Sequence, residues 1–229
     1  MNTDFPIRLN KYLAQTSGIS RRQADELIGR GRVLINQKTA TIGDRVNQDD
    51  IVYVDNKPLD TSTDFIYIAL YKPRGYVCSR KRQGESPTVY ELLPTTYRSL
   101  KTVGRLDRDS SGLILLTNDG DFAQRMTHPK YHKVKRYNVT LSSALEPLHQ
   151  QMINDFGVTL DDGTSKLSLE KMTDDRKQWI VTMSEGRNRQ IRRSFAALGY
   201  TVTILHRTDF GPYHLGTLAE GTFEQTTAK

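Results

Sequence analysis

Gly104-Arg105-Leu106-Asp107-Arg108-Asp109-Ser110-Ser111-Gly112-Leu113-Ile114-Leu115-Leu116-Thr117-Asn118-Asp119-Gly120 runs from a charged loop through an unbroken apolar stretch into turn residues. A short, wholly apolar run with such boundaries, residues 113–116, predicts a strand buried on both faces. A loop that feeds a rigid central strand can hold one side chain in fixed geometry. This loop carries the Asp107 carboxylate, with Arg105 two residues before it and Arg108 beside it. Charged loops are common, so the pattern alone leaves two readings: a solvated loop, or a carboxylate set up for chemistry.

The chain has 229 residues, enough for one large domain or two smaller ones, and a formal charge of +7. No stretch approaches the ~20 apolar residues of a membrane-spanning helix, and the polar N-terminus lacks the apolar core of a signal peptide. A single cysteine, Cys78, rules out an internal disulfide and suits a reducing cytosol. Cysteine and histidine show no metal-ligand spacing. A basic chain of this kind points to a polyanionic partner, usually nucleic acid.

Upstream, Leu9, Tyr12 and Leu13 fall at helical spacing and Gly18 closes that helix. Ser20 and Gln23 form a capping box for a second helix with Ala24, Leu27 and Ile28 inward. Arg21, Arg22, Arg30 and Arg32 are left to face outward near its ends, where cations can meet successive phosphates. Short strands are expected at 33–35, 41–46 and 51–54, and the small polar residues Thr61, Ser62 and Thr63 read as a linker. A central strand is expected at 65–70. Lys72-Pro73-Arg74-Gly75 is a turn, and a basic loop at 79–86 contains Arg80, Lys81 and Arg82. Lys72, Arg74 and that loop are candidates to line an RNA channel, or simply solvated cations. Cys78 reads as a packed residue, since no histidine base accompanies it.

Downstream, residues 121–128 read as a helix that Pro129 ends. The alternation at 133–141 puts Tyr137, Val139 and Leu141 on one face. A tyrosine there is ordinarily a core residue with a satisfied hydroxyl. Residues 145–153 are expected to be helical, Asp161-Asp162-Gly163 a turn, and the alternations around Leu169 and Val181 a hairpin. Gly186 then turns the chain into a basic amphipathic helix with Ile191, Phe195 and Leu198 inward and Gly199 as its C-terminal cap.

Several of these pieces together resemble one family. The Gly104-Arg105-Leu106-Asp107 loop and its strand, the Lys72-Pro73-x-Gly75 turn, the Lys135-x-Tyr137 strand and Gly186-Arg187-x-x-Gln190-Ile191-Arg192-Arg193 are similar to the RsuA-type rRNA pseudouridine synthases. Ile7-Arg8-Leu9-Asn10-Lys11-Tyr12-Leu13, Ser20-Arg21-Arg22-Gln23-Ala24 and Gly31-Arg32-Val33-Leu34-Ile35-Asn36 resemble the S-four RNA-binding domain, named after a ribosomal protein. The resemblance implies an α+β protein: an S-four-like RNA-binding domain over residues 1–60, then a catalytic domain over 65–229 on a mixed, largely antiparallel sheet. By resemblance Asp107 is the catalytic residue, Tyr137 packs against the target base, and Arg192 bonds the catalytic carboxylate. Arg21, Arg22, Arg30, Lys72, Arg74, Arg187 and Arg189 make up the expected RNA-binding set. Arg105, planar and cationic, is placed to fill the gap that an extruded base leaves. At residues 218–224 the chain lacks the proline and arginine expected of the family's C-terminal segment, which weakens any RNA role for the tail.

The implied reaction isomerises a uridine of ribosomal RNA without net oxidation and without water, so neither cofactor nor metal is expected. Asp107 serves either as nucleophile on the sugar carbon or as base toward a ribose proton; the sequence accommodates both. The expected partner is ribosomal RNA or a pre-ribosomal particle, met by a cytoplasmic monomer with no membrane contact. The alternative from another class is a non-catalytic rRNA-binding assembly factor using the same basic surfaces, which would tolerate loss of Asp107. A glycosidase would want a second carboxylate and a water, for which only Asp109 is near.

Overall fold

The computed structural model of the protein describes residues 5–60 and 64–229. The linker expected at Thr61-Ser62-Thr63 lies outside the described residues. The chain divides into two compact units, Met1–Phe65 with Asn118–Gly120, and Ile66–Thr117 with Asp121–Lys229.

In the first unit β1 (Ile7–Arg8) leads into α1 (Leu9–Thr16), and α2 (Arg21–Gly29) follows. The capping box is present: Ser20 Oγ accepts from the Gln23 amide at 3.2 Å, and Gln23 Oε1 accepts from the Ser20 amide at 2.9 Å. Such a cap is worth about 1 kcal/mol. The strands are β2 (Val33–Ile35), β3 (Lys38–Thr39), β4 (Arg45–Val46), β5 (Val52–Val54) and β6 (Lys57–Pro58). Four of them form a sheet in the order β3-β2-β5-β6, while β1 pairs with β4. Leu9, Leu13, Ala24, Ile28, Val33 and Val52 make the core. The strand expected over 41–46 is mostly a turn, because Asp44 caps the Thr41 amide at 2.8 Å and only Arg45–Val46 pairs.

The second unit contains β7 (Tyr67–Lys72), β8 (Lys101–Val103), β9 (Ser111–Thr117) and α3 (Gly120–Thr127). Then come β10 (Lys135–Leu141) and α4 (Pro147–Gln151), the latter running into a wider π-turn over Met152–Phe156. A hairpin, β11 (Val158–Leu160) and β12 (Gly163–Ser165), precedes β13 (Ser168–Lys171) and β14 (Gln178–Met183). The chain ends with α5 (Gln190–Ala196), β15 (Val202–Phe210), β16 (Tyr213–His214) and β17 (Phe223–Thr226).

Among the described residues nine of these strands form one sheet. Its main path is β13-β14-β10-β15-β9-β7-β17, with β8 on β9 and β16 on β15. Every pair is antiparallel except β9 with β15. Strand β9 is buried along its whole length, as its apolar run requires, since both faces are covered. Ile68, Leu70, Ile114 and Leu116 join Phe195 of α5 in one core cluster. Ala69, Leu113 and Leu115 join Phe122 and Met126 of α3 in the other. Each fully buried leucine or isoleucine contributes about 1.5–3 kcal/mol, so β9 is anchored from both faces.

The turn expected at Asp161-Asp162-Gly163 is present and joins β11 to β12, but two elements depart from expectation. The strand read at 65–70 starts and ends two residues later. The tail, which looked divergent, adds β17 to the edge of the sheet against β7.

Candidate active site

A cleft of about 530 Å³ opens where β10 begins, where β14 and β15 finish, and where the loop before β9 returns to the sheet. Its lining includes Arg105, Leu106, Asp107, Lys135, Tyr137, Arg189 and Arg207.

The Asp107 loop is tied down at successive points. Gly104 takes φ +71°, the left-handed region that glycine enters at no steric cost. Leu106 is buried in the core, and its amide donates to Cys78 Sγ at 3.5 Å. The Ser110 amide donates to the Asp107 carbonyl at 3.0 Å, and the Gly75 amide to the Arg108 carbonyl at 2.8 Å. From below, Lys72 Nζ donates to the carbonyls of Ser110 at 2.6 Å and Pro73 at 2.8 Å. Lys72 was expected on an RNA-binding surface. It is instead fully buried, its pKa pushed down to about 8 by that burial, and it joins the Lys-Pro turn to the end of the Asp107 loop. Burial likewise raises the Cys78 thiol, which fits a packed residue and not a nucleophile.

The partner of Asp107 also differs from expectation. Arg189 Nη1 lies 3.6 Å from Asp107 Oδ2, the carboxylate being about one quarter exposed and Arg189 44 % exposed. A pair this open contributes about 0–1 kcal/mol to stability, so its significance is the charge it holds beside the carboxylate. Arg189 is the N-terminal flank of α5 and sits at φ 45°, ψ 31°. A non-glycine residue in that region marks strain of about 1–3 kcal/mol, the kind of feature found at functional sites. Arg192, expected to bond Asp107, is one turn into α5. Its Nη1 donates to the Val202 carbonyl at 2.7 Å and its Nη2 to the Asp109 carbonyl at 3.1 Å. It therefore ties the helix to β15 and to the backbone just past Asp107. Burial, then the Arg189 charge, lowers its pKa, opposed by Asp109 and Asp107.

Arg187 is a second correction. Its guanidinium is spent on the β11–β12 hairpin, donating to the carbonyls of Asp162 and Gly163 at 3.0 Å each and of Thr164 at 2.9 Å. The neighbouring Arg193 pairs with Asp162 at 2.6 Å and with Asp161. The acidic turn thus neutralises both and clamps the hairpin to the start of α5. The basic loop at 79–86 is occupied in a similar way: Arg80 donates to the Ser99 carbonyl at 2.7 Å and lies 4.0 Å over the Tyr90 ring, and Arg82 pairs with Glu91.

Tyr137 is buried in the β10 row and lines the cleft; among the described residues its hydroxyl has no hydrogen-bond partner. Arg105 is exposed on the cleft rim, and Arg74 is exposed on its turn. Arg21, Arg22 and Arg30 are exposed at the ends of α2, whereas Arg32 is held by Asp55 at 2.6 Å. Two lining cations carried no expectation as site residues, Lys135 and Arg207. Arg207 is 2 % exposed. Its signal in the sequence is weak, because it sits in a polar run with His206, Thr208 and Asp209.

An RNA pseudouridylate synthase family model matches residues 66–197, and an S4 domain model matches residues 7–52. The chain is 37 % identical to the ribosomal small subunit pseudouridine synthase A of Pasteurella multocida, with 97 % of each chain covered. It is 34 % identical to the ribosomal large subunit pseudouridine synthase B of Bacillus subtilis, over 96 % of this chain and 92 % of that one. A crystal structure of a pseudouridylate synthase superimposes with a TM-score of 0.69 at 34 % identity, covering 96 % of both chains.

Proposed function

Because this chain belongs to the RNA pseudouridylate synthase family and carries an S4 domain, we propose that it converts a specific uridine of ribosomal RNA to pseudouridine, without a cofactor, with Asp107 as the catalytic residue. Relatives named for the small and the large ribosomal subunit match it about equally, so the substrate class is ribosomal RNA, free or in a pre-ribosomal particle. The proposed setting is a cytoplasmic monomer.

The observation that carries this reading is a partly exposed carboxylate, Asp107, opening onto the same cleft as the Tyr137 ring, with one guanidinium 3.6 Å away. Burial disfavours an ionised carboxylate, and a neighbouring cation opposes that. Arg189 sets a positive charge beside the Asp107 carboxylate, whether that carboxylate attacks the sugar carbon or removes a ribose proton. The bond between C1′ and base N1 breaks with its electron pair left on the base, the base turns, C5 joins C1′ with that pair, the C5 proton leaves and N1 takes up a proton. Tyr137, held by β10, packs on the base while it turns. Arg105, exposed on the rim and without a partner among the described residues, fills the stack that the extruded base vacates, at an extrusion cost of a few kcal/mol.

The test is tritium release from ribosomal RNA carrying C5-labelled uridine. Wild type is expected to release tritium, and Asp107→Asn to bind RNA normally while losing at least 10³-fold in rate, because an amide is neither nucleophile nor base. Activity of Asp107→Asn within tenfold of wild type would remove Asp107 from the chemistry and favour an RNA-binding assembly factor.

A further inference from the structure

Beneath the Asp107 loop the cleft holds a second charged feature that the steps above leave unused. Arg207 is 2 % exposed, and its Nε donates to the Leu113 carbonyl at 2.8 Å. Its Nη2 is buried with no partner, and among the described residues no carboxylate pairs with it. A buried cation without a counter-charge is costly, and a protein retains one where something else meets the charge. Lys135 is beside it in effect: burial, then the charge of Arg207, pushes its pKa down to about 8, against a smaller opposite pull from Glu185. Its Nζ donates to the carbonyls of Lys133 at 3.3 Å and Glu185 at 3.2 Å, which leaves a third proton to give. Both cations lie over the Phe210 ring, Arg207 at 4.9 Å and Lys135 at 5.4 Å from its centroid.

The backbone sets this up. Between β10 and β15 the register slips, so that Arg136 faces Asp209 but Tyr137 faces Arg207, with Thr208 left over. An extra residue of this kind re-aims side chains, and such bulges gather beside active sites. It brings Arg207 opposite Tyr137 on the cleft side.

We propose that Arg207, with Lys135, forms a subsite for the carbonyl oxygens of the target base and holds the negative charge that the base acquires when its bond to ribose breaks. The inference rests on the reading that a uridine enters this cleft. When C1′–N1 breaks, the bonding pair stays on the base and spreads from N1 to O2 and O4. That pair then forms the C5–C1′ bond, and as the C5 proton departs N1 takes up a proton. Donors fixed in place before the reaction, in a site that excludes water, are the effective way to stabilise such a charge. A phosphate is the other oxygen ligand these cations could take. The floor around them is apolar (Leu106, Met183, Ile191, Leu205), which suits a flat base, while the rim cations Arg105 and Arg189 are better placed for phosphates.

The experiment has a kinetic arm and a binding arm. In the tritium-release assay Arg207→Gln is expected to lose at least 100-fold in kcat with KM for RNA within threefold, and Arg207→Lys to regain at least tenfold of the loss. In the binding arm, wild type and Asp107→Asn should both broaden the fluorine resonance of free 5-fluorouracil, and Arg207→Gln should not. Inorganic phosphate should leave that broadening unchanged; suppression by phosphate would make this a phosphate site and overturn the proposal. So would an Arg207→Gln protein with wild-type circular dichroism that keeps kcat within tenfold. If Arg207→Gln does not fold, Lys135→Gln carries the same test, with an expected loss of about tenfold in kcat and weakened 5-fluorouracil binding. A wild type that binds 5-fluorouracil through Arg207 yet releases no tritium from ribosomal RNA would sink the ribosomal substrate and leave the base subsite standing.

Discussion

Asp107, Arg189 and Arg192 divide two tasks between two arginines. Arg189 is at the flank of α5 with its guanidinium 3.6 Å from the carboxylate, whereas Arg192 spends its donors on two backbone carbonyls. Removing each should therefore fail differently. Arg189→Ala takes a charge away from Asp107 but unties no backbone, so kcat should fall about 10- to 100-fold, or about 1.4–2.7 kcal/mol of barrier, with melting temperature within about 2 °C of wild type. Arg192→Ala frees the Val202 and Asp109 carbonyls and loosens the loop that carries Asp107. It should lower both melting temperature and kcat. Lysine at 192 can make one of the two bonds but not the planar fork, so it should recover stability only in part. Melting curves and single-turnover rates on the two alanine variants check this; an Arg192→Ala protein as stable as wild type, with Arg189→Ala the unstable one, would reverse the assignment.

At the scale of elements, the joint between β9 and β15 positions the site. Among the described residues it is the one parallel contact of the sheet, it pairs Ser111 with His206 and Gly112 with Arg207, and it begins four residues past Asp107. Gly112 has φ +107°, and a Cβ there would lie 2.2 Å from the Arg207 carbonyl oxygen. Strain and overpacking of about 1–3 kcal/mol each predict that Gly112→Ala loses about 2–6 kcal/mol. For a domain of this size that corresponds to a fall of roughly 4–24 °C in melting temperature, read by calorimetry, and a fall under 2 °C would mean the joint yields easily. Strand β9 was legible in sequence because a strand covered on both faces must be apolar throughout. Strand β15 was not, because His206, Arg207, Thr208 and Asp209 interrupt its alternation; they are polar where the strand bulges into the cleft. With β15 unseen, its buried arginine was unseen too. The Gly-Arg-x-x-Gln-Ile-Arg-Arg segment was found, but its spacing could not show that the helix starts at Gln190, which decides which arginine swings toward Asp107. The cations of Lys72 and Arg187 read as surface charges because sequence shows a charge and not the carbonyls that surround it.

For the whole molecule, an excess of seven positive charges is a statement about RNA affinity, and the structure separates the cations free to contribute from those already engaged. Arg80, Arg82, Arg187 and Arg193 are held by backbone carbonyls or carboxylates of their own unit. Arg32 is held by Asp55, and the pair draws the Asp55 pKa below the usual carboxylate range. Arg21, Arg22 and Arg30 are exposed at the ends of α2 and remain available to phosphates. Each phosphate contact contributes about 0.7–0.9 to the slope of log affinity against log salt. Replacing Arg21, Arg22 and Arg30 together by glutamine should thus flatten that slope by roughly 2 to 2.7, while Arg32→Gln should leave it nearly unchanged. Filter binding of a ribosomal RNA fragment between 50 and 300 mM potassium chloride, as order-of-magnitude bounds on a workable range, measures both slopes. At saturating RNA the triple variant should keep the wild-type kcat, because Asp107, Tyr137 and Arg189 are untouched and contacts to phosphate position RNA without entering the bond-breaking step. A triple variant with the wild-type slope would show that the S4 unit does not grip RNA through α2; one with reduced kcat at saturation would show that α2 acts in the chemistry as well as in the grip.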